Sequence, residues 1–237
     1  MPLKEDEWLS SLLGVPAFHF NFESDEKKSI PDFFCQLPEK AFVDVKVLPE
    51  DVGVVRQLEA KGFHLIDTNI QLLRQSGQFV PRETEAKIRF AESRDAPQVG
   101  FLAETGFSKD RFHLDQSIPT KVANAVKRAW AENFFNGRRG NWMVVAEVSS
   151  EICGFLLLLK GADGELVIDL IAVSEAWQGQ KIGSAMIGFA LSNIAACGKI
   201  LVGTQLANLE SLSFYQALGF HVTSGKYVLH FHQDSKR

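Results

Sequence analysis

The sequence predicts an α/β (α+β) fold in which a mixed sheet carries helices on its faces. Three observations lead there. The C-terminal part of the chain alternates β-rich runs with helical periodicity. A glycine-bearing loop, "EAWQGQKIGSAM" (Glu175 to Met186), joins an apolar strand to an apolar helix. A segment near the N-terminus repeats the strand–helix–strand rhythm with which the chain ends.

Composition sets the frame. The 237 residues are 46% hydrophobic and 23% charged, which suits one large domain or two small ones. A net charge of -4 provides no general basic field for nucleic acid, so an anionic ligand has to be met by local groups. Cys35, Cys153 and Cys197 have no metal-ligand spacing and read as buried reduced thiols. The N-terminus mixes acids into its first residues, unlike a signal peptide, and the longest apolar run, "ICGFLLLL", is too short for a membrane span. The expectation is a cytoplasmic protein with no membrane or nucleic-acid partner.

The polar stretch "QSGQFVPRETEAK" (Gln75 to Lys87) reads as a linker, giving an N-terminal unit over 1–80 and a larger one over 86–237. In the larger unit "KIRFAE" is a short strand, and Asp95 is placed to cap a helix through "APQVGFLAETGF". "SKDRFHLDQSIP" is expected to be an irregular loop. Thr120 opens a longer helix that stops at Asn136-Gly137. "NWMVVAEV", "EICGFLLLLK" and "ELVIDLIAV" are three strands separated by short turns. After the quoted loop come the helix "IGSAMIGFALSNIAACG", the strand "ILVGTQL", a helix capped by Asn208 and closed by Gly219, and a last strand, "FHVTSGKYVLHFH".

Phe42 to Leu72 aligns without gaps on Lys199 to Leu229, and both segments read strand, helix, Gly-Phe-His, strand. The smaller unit is therefore read as a degenerate half-copy of the larger. In this alignment Leu58 stands opposite Tyr215, and Asp51 opposite Asn208, so only the second copy has the tyrosine.

The quoted loop has the chemistry of an anion site. Successive backbone N–H groups at a helix start, aided by the helix dipole, suit a pyrophosphate, and Gly179 and Gly183 permit close approach. "IDLIAV" before the loop, "QGQKIGSAM" within it and "NLESLSFYQALGF" about 25 residues later resemble the GNAT superfamily of N-acetyltransferases over roughly Ile88 to His232.

That resemblance implies the GNAT acyl-CoA N-acyltransferase fold, mostly antiparallel with splayed central strands. It also implies acetyl-CoA as the acyl donor. The implied cofactor site comprises the amides of Ile171 and Val173 for the pantetheine arm and thioester, the loop Gln178, Gly179, Gln180, Lys181, Ile182, Gly183 and Ser184 for the pyrophosphate, and Asn208. Lys181 stands where the family pattern has a glycine. If φ is positive there, the substitution costs on the order of 1 kcal/mol, which phosphate contact by the ammonium could offset.

Tyr215 matches the family position that protonates the coenzyme A sulfur. His113, Asp115, Asp169 or a water relay are the candidates for the base. Asp169 also needs a polar partner, being a carboxylate in an apolar strand. His230 and His232 alternate on the last strand, but two histidines without a third ligand make a weak zinc case, and no metal is expected.

The layout is further similar to acetyltransferases of TDP-linked 4-amino-4,6-dideoxy sugars, the TDP-fucosamine type. That likeness implies a small-molecule amine, a sugar nucleotide, with Arg111, Asp115 and Trp130 on the substrate side, Arg111 and the pair Arg138-Arg139 meeting a pyrophosphate, and Trp130 or Phe134 a base or sugar face. Peptide or protein N-terminal acetylation, and a non-catalytic acyl-CoA-binding module, stay open as alternatives. A homodimer paired through the half-copy is the assembly reading.

Overall fold

A computed structural model describes residues 3–21, 30, 37–75, 79, 83–194 and 198–233. Part of the expected linker, with Cys35 and Cys197, lies outside the described residues. The N-terminal part contributes β1 (Leu3–Glu5), α1 (Glu7–Leu13), β2 (Ala17–Phe20), β3 (Ala41–Val47), α2 (Val52–Ala60) and β4 (His64–Gln75). The remainder contributes β5 (Lys87–Phe90), α3 (Ala96–Thr105), α4 (Arg111–Leu114) and α5 (Thr120–Phe135). Then follow β6 (Trp142–Val148), β7 (Glu151–Lys160), β8 (Leu166–Val173), α6 (Ile182–Asn193), β9 (Lys199–Gln205), α7 (Leu209–Ala217) and β10 (His221–Gln233). One departure from expectation is α4, a helical turn inside the presumed loop. Its cause is local: the Asp110 side chain accepts from Phe112 N at 3.0 Å and caps it. Among the described residues no helix is long and apolar enough to cross a membrane.

The strands among the described residues form one 10-stranded sheet in the order β1-β2-β3-β10-β4-β9-β8-β7-β6-β5. Pairing is antiparallel except for β2–β3 and β8–β9, which are parallel. The N-terminal part is thus stitched into the larger one. β4 lies between β9 and β10, and β10 lies between β4 and β3.

The register of this exchange obeys the sequence alignment. Superimposing Phe42–Leu72 on Lys199–Leu229 carries the pair His64↔His230 onto Leu73↔His221, and Thr68↔Tyr227 onto Ile70↔Gly225. Asn69↔Lys226 maps onto itself and marks a local pseudo-twofold axis. The flanking ladders agree: Val45↔Leu229 corresponds to Val202↔Leu72. Both helices also end alike. Phe63 N bonds Leu58 O and Phe220 N bonds Tyr215 O, each at 3.0 Å, around Gly62 and Gly219 with positive φ.

Helices cover both faces around β8. One core layer packs Leu156, Leu158, Leu166 and Ile168 against Ile182, Met186 and Ile187 of α6. The other packs Phe155, Leu157, Leu170 and Ala172 against Val99, Leu102 and Ala103 of α3. Even-numbered residues of β8 therefore change faces between Ile168 and Leu170. The cause is a bulge at Asp169: Leu158 pairs with Ile168, but Leu157 pairs with Leu170.

Candidate active site

The bulge is where the sheet opens. β8 and β9 pair in parallel only at Leu166↔Ile200, Val167↔Leu201 and Ile168↔Val202, and beyond Asp169 they diverge. A cleft of about 750 Å³ fills the gap, lined by Asp169 to Val173 on one wall and by Val202 to Gln205 on the other. Among the described residues no strand pairs with the β9 side of β8 past this point, so its backbone donors and acceptors there are open to a ligand in the cleft.

The loop after β8 closes one end of the cleft. Gln178 turns back and donates from Nε2 to Val173 O at 3.1 Å. Gly179 has φ +77°, and Lys181, the N-terminal cap of α6, has φ 64°. The non-glycine residue thus does occupy a left-handed conformation, at a cost on the order of 1 kcal/mol. Ser184 Oγ donates to Lys181 O at 2.7 Å and fixes the turn. The first-turn amides of α6 have no acceptors within the helix and so converge on the cleft end. Gly183 permits close packing: a Cβ there would sit 3.1 Å from Phe214 Cζ of α7, so the ring would have to shift by a few tenths of an ångström. All the expected cofactor residues line the cleft except Gln180, whose amide donates to Ala176 O instead.

Helix α7 forms the opposite side. Asn208 lines the cleft and caps α7, accepting from Ser211 N at 3.2 Å. Tyr215 lines it too and is 2% exposed, packed edge-on against Phe214 and Phe220. Burial raises the pKa of its phenol, so the hydroxyl stays protonated through the neutral range.

Several expected acid–base and substrate residues have other occupations. Asp169 does line the cleft, but Arg139 bonds it through Nε and Nη2 at 2.6 and 2.7 Å, and Trp130 Nε1 at 2.9 Å. These are the partners that its apolar strand demanded. They hold the bulge and occupy both carboxylate oxygens. Arg139 is correspondingly spent, stacked 4.6 Å over Trp130. His113 lines neither cavity: its ring nitrogens meet Asp110 Oδ2 at 2.5 Å and Asn124 Oδ1 at 2.8 Å, behind the cleft wall.

Asp115 is likewise absent from both cavities. Its Oδ2 contacts His230 Nδ1 at 2.7 Å and His232 Nε2 at 2.8 Å, so it supplies the third group of a trio whose ligand-type atoms lie within 4.8 Å of one another. Burial opposes ionisation of Asp115, but the two histidine bonds outweigh it and hold the carboxyl well below the usual range. Burial pushes His230 down to about 4, leaving it neutral, with Nε2 buried and unpartnered. The sequence could not have shown this trio, since Asp115 and the histidines are joined only by β10 crossing under the α4–α5 segment.

A second cavity lies beyond the Asp169–Arg139–Trp130 wall. It is lined by Trp8, His19, Arg111, Trp130, Asn133, Arg138 and neighbouring residues, so the N-terminal part supplies one side. Trp8 and Trp130 meet edge to face at 5.9 Å. Arg111 borders this cavity, but its guanidinium is paired with the buried Asp44 carboxylate and stacked 4.6 Å from Phe112. Arg138 is exposed beside it.

The comparisons with known proteins fit this geometry. Residues 139–222, which carry β6 to the start of β10, match the family described as an acetyltransferase (GNAT) domain. The chain is 24% identical over 224 residues to the spore coat polysaccharide biosynthesis protein SpsD of Bacillus subtilis strain 168, covering 92% of this chain and 77% of that protein. Among solved structures, a GCN5-related N-acetyltransferase from Sphaerobacter thermophilus superimposes with a TM-score of 0.59 at 14% identity, over 86% of this chain and 64% of its own. A tandem GNAT protein from the clavulanic acid biosynthesis pathway gives 0.57 at 13%, over 83% and 65%. The chain spans just under two thirds of each of these two structures. The chain has the GNAT fold, and its residues 139–222 are similar to the acetyltransferase (GNAT) domain family.

Proposed function

We propose that the chain N-acetylates a nucleotide-linked amino sugar, with the donor in the β8–β9 cleft and the acceptor reaching it from the second cavity. The carrying observation is the splayed strand pair with a phosphate-suited loop at one end and a buried tyrosine facing the gap. In this reading the amides of Ile171 and Val173 hold the pantetheine and polarise the thioester carbonyl, while the first turn of α6 with Lys181 meets the pyrophosphate. The amine attacks the carbonyl carbon, the C–S bond breaks, and Tyr215 protonates the departing sulfur. With Asp169 and His113 engaged elsewhere, the amine proton leaves through water or a cleft residue.

Two features support a sugar nucleotide. The second cavity combines tryptophan faces with an exposed arginine, the chemistry that meets a base and its phosphates. SpsD, the relative at 24% identity, is named for polysaccharide biosynthesis. Residues 1–80 are in this reading a degenerate GNAT-like half. The symmetric register and the fold likeness to a tandem GNAT structure support that.

Thermal unfolding with acetyl-CoA at a hundredfold excess over Kd should show stabilisation of about 2.7 kcal/mol. A panel of amino-sugar nucleotides and peptides then tests the acceptor. Turnover confined to peptides would sink the sugar reading, and an unshifted melting curve would sink the cofactor reading.

A further inference from the structure

The cleft contains a lysine that neither the loop motif nor the tyrosine explains. Lys127 sits midway along α5, only 6% exposed, and lines the donor cleft together with Phe107, Asp110 and Asp169. Its ammonium lies 5.0 Å from the Phe107 ring centre and 5.1 Å from that of Trp130. Its ion-pair contact is a long one, 3.6 Å to Asp110 Oδ2. That carboxylate is committed elsewhere: Oδ2 is 2.5 Å from His113 Nδ1, and Oδ1 accepts from Phe112 N at 3.0 Å. The other cleft-lining acids are also engaged, Asp169 by Arg139 and Trp130, Glu210 by Lys109 at 2.5 Å.

From the geometry we infer that Lys127 is a self-acetylation site, taking the acetyl group from bound acetyl-CoA when no acceptor amine is present. The inference rests on the donor reading of the cleft. A primary amine held on the wall of a thioester site has the effective concentration that makes slow acyl transfer fast. Its environment favours the nucleophilic form: burial lowers its pKa first, and the nearby Arg111 adds to that, against opposing pulls from Asp110 and Asp169. The Nζ lone pair adds to the thioester carbonyl, the N–C bond forms and the C–S bond breaks. One Nζ proton ends on the departing thiolate, giving an acetyl-lysine and free coenzyme A. The product is a neutral amide on the cleft wall beside Phe107 and Asp169.

The test uses the full chain and acetyl-CoA alone. Intact mass should rise by one acetyl group per chain, peptide mapping should place it on Lys127, and the rate should saturate with acetyl-CoA and rise with pH. Lys127→Arg should lose the modification yet keep the melting shift given by acetyl-CoA. Acetylation scattered over exposed lysines such as Lys109 and Lys181, unchanged in Lys127→Arg, would overturn the inference. So would a clear melting shift with no added mass, which would leave the donor reading intact. A melting curve indifferent to acetyl-CoA would instead overturn the donor reading, and the inference with it.

Discussion

Among the described residues there are two parallel strand pairs, β2–β3 and β8–β9, at corresponding places on either side of the local pseudo-twofold axis. In the first, Ala17 to Phe20 are all in register with Phe42 to Val45, and β2 ends there. In the second, pairing with β9 stops at Ile168, a bulge at Asp169 turns the strand, and the rest of β8 stays paired with β7 alone. The helices that follow, α2 and α7, start and end at equivalent positions. One presents Leu58 to a closed apolar core, the other Tyr215 to an open cleft. The comparison teaches that the shared strand–helix–strand unit provides framework only. What makes a site is a strand long enough to continue past its partner, a carboxylate to fix the bend, and a polar group where the copy has a hydrocarbon.

Mutating the two equivalent positions should break the comparison most sharply. Tyr215→Phe is expected to lower turnover by about two to four orders of magnitude with acetyl-CoA binding retained. Leu58→Ala should instead cost about 2–5 kcal/mol in stability, with kcat of the folded fraction unchanged. Steady-state kinetics and denaturant melts on both variants check the pair, and a Tyr215→Phe enzyme of normal kcat would remove the tyrosine from the mechanism.

The next effect is one of pH. His230 on β10 corresponds to Leu73 on β4, so protonation breaks the symmetry here as well. Its folded pKa, about 4, lies below the free imidazole value of about 6.5, so the unfolded chain binds the proton first. This contribution is complete above about pH 6.5 and fades as pH falls toward 4, by on the order of 3 kcal/mol at most. Asp115, held below the carboxylate range, adds a loss at still lower pH. Melting curves of wild type and His230→Phe between pH 7 and 4.5 should converge on acidification. A parallel decline in both would assign the acid sensitivity elsewhere.

The smallest effect concerns the loop that β2 lacks an equivalent of among the described residues. Lys181→Gly removes a side chain from a left-handed conformation and should stabilise the chain by about 1 kcal/mol. If its ammonium meets the pyrophosphate, the same variant should bind acetyl-CoA more weakly; calorimetric titration separates the two. Tighter binding by the glycine variant would show that the lysine contributes only strain.

Much of this was legible in the residues. The order of elements from Phe42 onward, α4 apart, and the Asn208 cap follow from local chemistry, in which each residue acts on neighbours a few positions away; Lys181 was legible as a condition, a non-glycine residue that would be strained if its φ were positive. Asp169 was legible as a problem, a carboxylate in an apolar strand. Its solution was not, because Arg139 and Trp130 reach it from another element. For the same reason His113 and Asp115 read as loop candidates facing the acceptor. Their partners, Asp110 with Asn124 and the two histidines of β10, withdraw them from the cleft. Lys127 gave no sign of itself, since a lysine on an amphipathic helix ordinarily points to water.

By itself, then, the sequence determined the strands and helices from Phe42 onward, α4 apart, the ungapped alignment of two strand–helix–strand segments and a glycine-bearing strand–helix loop, because periodicity, capping and backbone freedom act over short distances. Tertiary structure alone decided that β4 and β10 exchange across the repeat, that a single bulge opens the sheet, and which titratable groups face the opening. Those outcomes depend on hydrogen-bond register and burial between segments far apart in the chain, where one residue of slip turns a side chain from the cleft to the core.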